Sequence, residues 1–143
     1  MSSQKVEVVR TMLEGVNGWD VDAMISGIQP DYEFVPIMAT LEGRVYQGEE
    51  GVRQWVADMQ DHWEYFECCP QEYYDLGDRV VALGHWRARG RVSGVEVEGQ
   101  EATWVAWFRD DRMSRWRTFT DREEALKTAE VTEQQLRELP SYI

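Results

Sequence analysis

Residues Asp78 to Thr120 read DRVVALGHWRARGRVSGVEVEGQEATWVAWFRDDRMSRWRTFT. Three runs rich in β-branched and aromatic residues, which predict strands, are separated here by short turn sequences. The runs are 80–91, 95–108 and 113–120, and the turns are Val92-Ser93-Gly94 and 109–112. Because short turns join antiparallel neighbours, the segment predicts a twisted three-stranded meander.

Upstream of this meander, apolar residues at helical spacing predict three helices. The first runs from Lys5 to Val16 and stops at Asn17-Gly18. Asp20 caps the second, which ends at Pro30, and the third runs from Glu49 to Trp63. The apolar positions of the second are Val21, Met24, Ile25 and Ile28, and those of the third are Val52, Trp55, Val56, Met59 and Trp63.

Two extended runs complete the sheet. Residues Asp31–Met38 and Glu64–Asp75 predict strands, and the proline at 36 or 70 marks an edge or a break in each. With helices toward the start and strands toward the end, the chain is α+β, with helices on one side of an antiparallel sheet. A sheet curved around the third helix would form a conical, cystatin-like barrel with a central pocket.

The C-terminal end predicts two short helices. Asp121 begins one, with capping-box spacing to Glu124, and Thr132 to Leu139 forms the other, with the same spacing to Gln135. We divide the chain into a conical domain over 1–128 and a partly helical tail over 129–143.

Composition excludes several classes of function. A formal net charge of −12 argues against nucleic acid and anionic membranes as partners. The adjacent Cys68 and Cys69 point to opposite faces of a strand and have no metal-ligand spacing, so we predict free thiols, no metal and no cofactor. No signal peptide or membrane span is evident, and we expect a cytoplasmic protein.

Several motifs together resemble the nuclear transport factor 2-like superfamily, and within it the SnoaL-like polyketide cyclase branch. They span roughly residues 5–128 and are Gly43-x-x-x-x-Gly48-x-x-Gly51-Val52-x-x-Trp55, Leu76-Gly77-Asp78-Arg79-Val80-Val81, Gly90-x-x-x-Gly94 and Phe108-Arg109-Asp110-Asp111-Arg112-Met113, followed by Trp116-x-x-Phe119-x-Asp121. The superfamily holds isomerases, cyclases, epoxide hydrolases, dehydratases and non-enzymatic binders, so the resemblance implies the fold more than the function.

The resemblance also implies where catalytic groups would lie. The cyclases and limonene-epoxide hydrolases carry an Asp three residues before the position of Asp121, and this chain has Thr118 there. A threonine hydroxyl is not a base near neutral pH. Val92 stands where the cyclases have a His. The epoxide hydrolases also carry an Arg and an Asp two residues apart on one strand, and a Tyr and an Asn two residues apart on another. By the same register, this chain has Trp86 and Ala88 at the first pair of positions and Phe34 and Pro36 at the second.

Period-2 and helical spacing place a set of large side chains toward the pocket. The set contains Tyr32, Phe34, Trp55, Met59, Trp63, Trp86, Trp104, Phe108 and Trp116. These side chains either line a site for a flat apolar ligand or fill the cone as core, and the sequence leaves both readings open.

The two histidines and Asp121 are the remaining acid–base candidates. His62 ends the third helix near the expected mouth of the pocket, where it is a general base or a partner of the helix dipole. Asp121 is an acid or, more simply, a helix cap. Alternation along its strand places His85 on the outer face of the sheet, toward solvent or a dimer partner.

The outer face of the meander mixes apolar and charged residues. Arg87, Arg89 and Arg91 are expected to pair with Glu96, Glu98 and Glu101, or to form an anion site. Together with Val81, Leu83, Val105 and Trp107 they favour a homodimer through this face.

Two functions remain. One is a SnoaL-like protein that binds a small hydrophobic molecule, with isomerase, cyclase or hydratase chemistry by His62 or a tyrosine. The alternative is a non-enzymatic ligand-binding or dimerisation module that lacks the catalytic Asp.

Overall fold

The computed structural model describes residues 3–37 and 44–143. In this part of the chain the strands are β1 (Ile28–Val35), β2 (Tyr46–Gln47), β3 (Trp63–Asp75), β4 (Arg79–Gly90), β5 (Glu96–Arg109) and β6 (Arg112–Phe119). The helices are α1 (Gln4–Gly18), α2 (Val21–Ile25), α3 (Gly48–His62), α4 (Arg122–Thr128) and α5 (Glu133–Arg137). The α+β class is confirmed. Met38 and Gly43, which two of the predicted motifs include, lie outside the described residues.

The strands form one curved, unclosed sheet in the order β2-β1-β6-β5-β4-β3. The predicted meander is confirmed: β4, β5 and β6 pair antiparallel, with Trp104 opposite Thr118. A bulge interrupts β5 where it faces Trp86 and Ala88, and Gly99 there has a φ of 65°. Since a bulge bends and twists its strand, it adds to the curvature of the sheet.

One strand pair differs from the predicted antiparallel sheet. β1 lies beside β6 and runs parallel to it, with Phe34 opposite Trp116. Parallel neighbours need a long crossover, here everything between β1 and β6, and no local pattern in the sequence specifies such a partner. β3, predicted to break at Pro70, is continuous and shifts register there.

Two helix boundaries also differ from the prediction. α1 continues through Asn17 and Gly18 and ends at Trp19, whose φ of 52° is left-handed. The Trp19 ring packs against Trp55 with the ring centroids 6.4 Å apart, which places an aromatic side chain at a position that usually favours glycine. α2 ends at Ile25, so that Ile28 and Pro30 belong to β1.

The core has two parts, one on each face of the sheet. The larger lies between the concave face and α1, α2 and α3. The smaller lies on the outer face under α4 and α5, and it buries residues Val81, Leu83, Val105, Phe119, Ala125, Leu126, Ala129, Val131 and Leu136. Three apolar residues expected at a dimer interface are therefore covered by the chain's own C-terminal helices.

The C-terminal helices begin as the sequence predicts, with one difference. The capping box of Thr132 and Gln135 is present at α5. Asp121 caps α4 by accepting a hydrogen bond from the Glu123 amide at 2.9 Å, and Glu124 is not its partner. Across 3–37 and 44–143, no helix is both long and apolar enough to cross a membrane.

The Asn17 side chain bonds α1 to the backbone of the edge strand β3. The Asn17 amide donates from Nδ2 to the Cys68 carbonyl at 2.9 Å and accepts from the Cys68 amide at 2.7 Å. It therefore occupies the position that a neighbouring strand would take, and it fixes α1 over the concave face.

We expect Asn17→Ala to lower the free energy of unfolding by about 1–3 kcal/mol, because the partly buried Cys68 amide loses its acceptor. Urea unfolding measures this change. The control is Gln54→Ala, which removes an exposed amide bonded to Asp58 and should stay within about 0.5 kcal/mol of wild type. Equal effects of the two substitutions would show that Asn17 does not anchor α1.

Candidate functional site

An apolar hollow lies between the concave face of the sheet and helices α1 and α3. Four of the seven tryptophans line it. The full lining is Leu13, Val16, Phe34, Pro36, Ile37, Trp55, Phe66, Cys68, Trp86, Ala102, Trp104, Trp116 and Thr118. The strands contribute alternate residues, as the period of two requires, so charged neighbours such as Glu67 and Arg117 point to the other face.

The hollow is narrow. The space inside it and at its opening to solvent is about 370 Å³, and only a small part of that space is as wide as a water molecule. A ligand larger than water can therefore enter only if some of the rings move.

Thr118 and Trp116 form the polar part of the wall. Trp116 Nε1 donates to Thr118 Oγ1 at 3.1 Å, and both residues are buried. The Thr118 side chain thus faces the hollow as a hydroxyl that accepts a hydrogen bond from a neighbouring indole.

The rings at one side of the hollow form a connected group. Trp86 stacks on Phe66 with centroids 5.3 Å apart, and Phe66 meets Trp55 edge to face at 6.5 Å. Phe34 meets the other side of Trp55 at 5.1 Å. Among the lining rings that the structure describes, Trp86 alone is partly exposed.

The structure brings together five of the nine predicted pocket residues: Phe34, Trp55, Trp86, Trp104 and Trp116. The other four, Tyr32, Met59, Trp63 and Phe108, lie outside the lining. Tyr32 is fully buried beside Phe34, and its hydroxyl has no partner in the described structure; burial raises the pKa of this phenol well above its ordinary value. Met59 and Phe108 belong to the hydrophobic core. The Trp63 ring meets the Trp86 ring edge to face from outside the hollow.

The predicted acid–base residues other than Thr118 do not reach the hollow. His62 is exposed, and its Nδ1 lies 2.8 Å from the Asp58 carbonyl of its own helix. Asp121 is the exposed cap of α4. His85 has the outward orientation predicted for it, opposite Cys69 on β3.

Sequence reasoning missed several lining residues. Phe66 and Cys68 alternate with Glu67 on β3, and Ala102 stands two residues before Trp104, so strand alternation could have identified all three. Leu13 and Val16 lie on the buried apolar stripe of α1, and helical spacing alone does not separate lining residues from core residues. Burial raises the pKa of the Cys68 thiol, with smaller contributions from Cys69 and Glu67, and keeps this thiol neutral in the hollow.

The outer arginines pair differently from the prediction. Arg89 does pair with Glu96, as expected, but Arg87 pairs with Glu67 of β3 at 2.9 Å. Arg91 donates to the carbonyls of Gln60 and Trp63 at the end of α3. Within the two described ranges, no group of three His, Cys, Asp or Glu side chains is arranged to hold a metal ion.

Comparison with known proteins agrees with this geometry. Residues 9–116 match the family model described as the SnoaL-like domain, which is more than half of the chain. The chain belongs to the SnoaL-like domain family. A search of curated proteins finds no match for this SnoaL-like protein.

Solved structures share the fold at low sequence identity. An NTF2-like protein of unknown function from Burkholderia pseudomallei K96243 is 20% identical, with a TM-score of 0.74 over 88% of this chain and 97% of its own. TerC, co-crystallised with polyporic acid, is 21% identical, with a TM-score of 0.73 over 90% and 99%. A candidate SnoaL-like polyketide cyclase from Shewanella denitrificans OS-217 is 12% identical, with a TM-score of 0.70 over 90% and 98%. At these identities the likeness shows the fold alone.

Two buried threonines provide a matched test of the wall. Thr118→Val should lower the free energy of unfolding by about 1–3 kcal/mol, because Trp116 Nε1 loses its acceptor. Thr103, buried on the outer face, has a hydroxyl without a partner in the described structure. Thr103→Val should therefore be neutral or stabilising. Chemical unfolding of both variants measures the two changes in stability. A larger loss of stability in Thr103→Val than in Thr118→Val would contradict this description of the wall.

Proposed function

We propose that this SnoaL-like protein binds a small, flat, apolar molecule in the hollow and does not transform it. The observation that carries the proposal is the chemistry of the lining: aromatic and aliphatic side chains surround one hydroxyl and one neutral thiol, and no described lining residue is a carboxylate, an imidazole or a cation. Concave apolar sites with few polar groups are the usual binding sites for such ligands.

The partial exposure of Trp86 supports this proposal. Trp86 lines the hollow, and its ring packs against the rings of Phe66 and Trp63. Ring contacts of this kind are worth about 0.5–1.5 kcal/mol each, so the indole can turn aside and stack on an entering aromatic ligand at modest cost. Relatives in fold were crystallised with small molecules, TerC with polyporic acid and a protein with a ketosteroid isomerase-like fold from Catenulispora acidiphila DSM 44928 with trimethylamine.

The second candidate function is isomerase, cyclase or hydratase chemistry by acid–base catalysis. Solved structures of this fold that are named for polyketide cyclases favour it. In this chain the proton would have to be carried by His62 or a tyrosine, and His62 is exposed on α3 outside the lining. A general base must lie within hydrogen-bond reach of the proton it removes, so the geometry favours binding over catalysis.

Two further proposals concern the setting. Free thiols at Cys68 and Cys69 suit a reducing cytoplasm, where we place this protein. We propose a homodimer through the part of the outer face that α4 and α5 leave open, around Trp107 and Arg115, whose guanidinium lies 4.0 Å from the indole centroid.

Thr118→Asp tests the binding proposal. At pH 8 it should weaken the affinity for naphthalene by at least about tenfold, because an unpaired carboxylate in an apolar wall disfavours an apolar neighbour and draws water in. His85→Ala, on the outer face, should leave the affinity unchanged. The measurement is the quenching of tryptophan fluorescence, with circular dichroism to confirm that each variant is folded. Equal, negligible effects would mean that naphthalene does not bind in the hollow.

Deuterium exchange separates the two functions. We expect wild-type protein to leave the rate of exchange at the carbon next to the carbonyl of 2-tetralone unchanged, as followed by proton NMR. Faster exchange that His62→Ala abolishes would favour the catalytic candidate, since a binding protein has no base to remove that proton.

A further inference from the structure

The geometry points to a hollow that accepts only the uncharged form of its ligand, so that a weak acid binds protonated and its anion is rejected. This inference rests on the proposed function, and it adds the class of ligand: neutral molecules, or weak acids in their neutral form. Two features of the structure and one of the sequence carry it.

The first feature is the lining. Cys68 is the one ionisable residue among those described as lining the hollow, and it is buried. The Trp116 indole and the Thr118 hydroxyl already bond to each other. An anion here would lose its hydration and gain no opposite charge, which is the costliest way to bury an ion.

The second feature is where the charged side chains of the surrounding elements lie. On each strand they alternate with lining residues and project from the opposite face of the sheet. On α1 and α3 they lie outside the lining. The flanking groups are Glu14 of α1, Asp58 and His62 of α3, Asp31 and Glu33 of β1, Glu67 and Cys69 of β3, His85, Arg87 and Arg89 of β4, Glu101 of β5, and Arg115 and Arg117 of β6. Tyr32 is buried beside the hollow and keeps its proton.

The basic residues near the Trp86 side are already engaged. Arg87 and Arg89 pair with Glu67 and Glu96, and Arg91 donates to two carbonyls at the end of α3. A ligand anion at this side would have to displace one of these partners. An arginine that is already paired has little net positive charge left to attract a second anion.

The third feature is the sequence itself. Residues 38–43 read MATLEG and contain no basic residue, so they cannot supply a cation to a bound anion. The formal net charge of −12 also repels anions from the whole molecule.

The consequence is a pH dependence set by the ligand. If only the protonated form binds, the apparent affinity for a weak acid falls about tenfold for each pH unit above the ligand's own pKa. Binding in turn raises the pKa of the bound acid. A non-ionisable compound of the same shape should show no such slope.

The experiment compares 4-nitrophenol with 4-nitroanisole, its methyl ether, between pH 5.5 and 9. Tryptophan quenching gives both affinities, and the visible absorbance of 4-nitrophenolate reports the ionisation of the phenol in the complex. We expect the affinity of the ether to stay constant, the affinity of the phenol to fall about tenfold per pH unit above its pKa, and the phenolate absorbance to drop when protein is added.

Each other outcome has a distinct meaning. If both compounds bind with constant affinity, the charge selectivity is wrong and the proposed binding function stands. If the ether binds but the neutral phenol does not, the inference is also overturned. If neither compound binds at any pH, the proposed function fails and takes the inference with it.

Two variants locate the effect. Thr118→Lys places an ammonium group in the wall and should abolish the decline in affinity for the phenol, since the bound phenolate then has a partner. Arg87→Gln alters only the outer face and should keep the wild-type slope. Circular dichroism checks the folding of both. A change of slope in Arg87→Gln would assign the selectivity to the surface field and overturn the inference.

Discussion

The alternation of side chains along a curved sheet is the constraint on which the rest of this structure depends. Every long strand turns one row of residues to the concave face, and α1, α2 and α3 pack against that face. In that row β4, β5 and β6 each place one tryptophan in the lining of the hollow, and the charged neighbours lie on the other face. The same alternation therefore produces the core, the hollow and the absence of charge among the described residues that line it.

The outer face of the sheet is only partly covered by helices. It is amphipathic, and α4 and α5 cover its apolar part, where Leu126 and Leu136 belong to one buried cluster with Val81 and Val105. Arginine–glutamate pairs and the stacked Trp107 and Arg115 occupy much of the rest. The C-terminal tail is thus part of the packed structure, and it restricts how much of this face a second copy could reach.

Much of this architecture could be predicted, because period-2 and helical patterns are local. The meander, the third helix and the inward orientation of residue 118 follow from them. The parallel pairing of β1 with β6 is a contact between segments far apart in sequence, so no local pattern encodes it. Tyr32 and Phe108 share the concave parity of the lining yet lie outside the hollow, because parity gives a face of the sheet and not a depth within it.

The central claim is that the sheet curves around an apolar hollow with the Thr118 hydroxyl in its wall. The most direct test is a crystal soaked in iodobenzene, with the iodine located by anomalous scattering. The account predicts one main peak within about 4 Å of the side chains of Trp104, Trp116 and Thr118. Peaks only outside the hollow, or a Thr118 side chain that points away from it, would contradict the account.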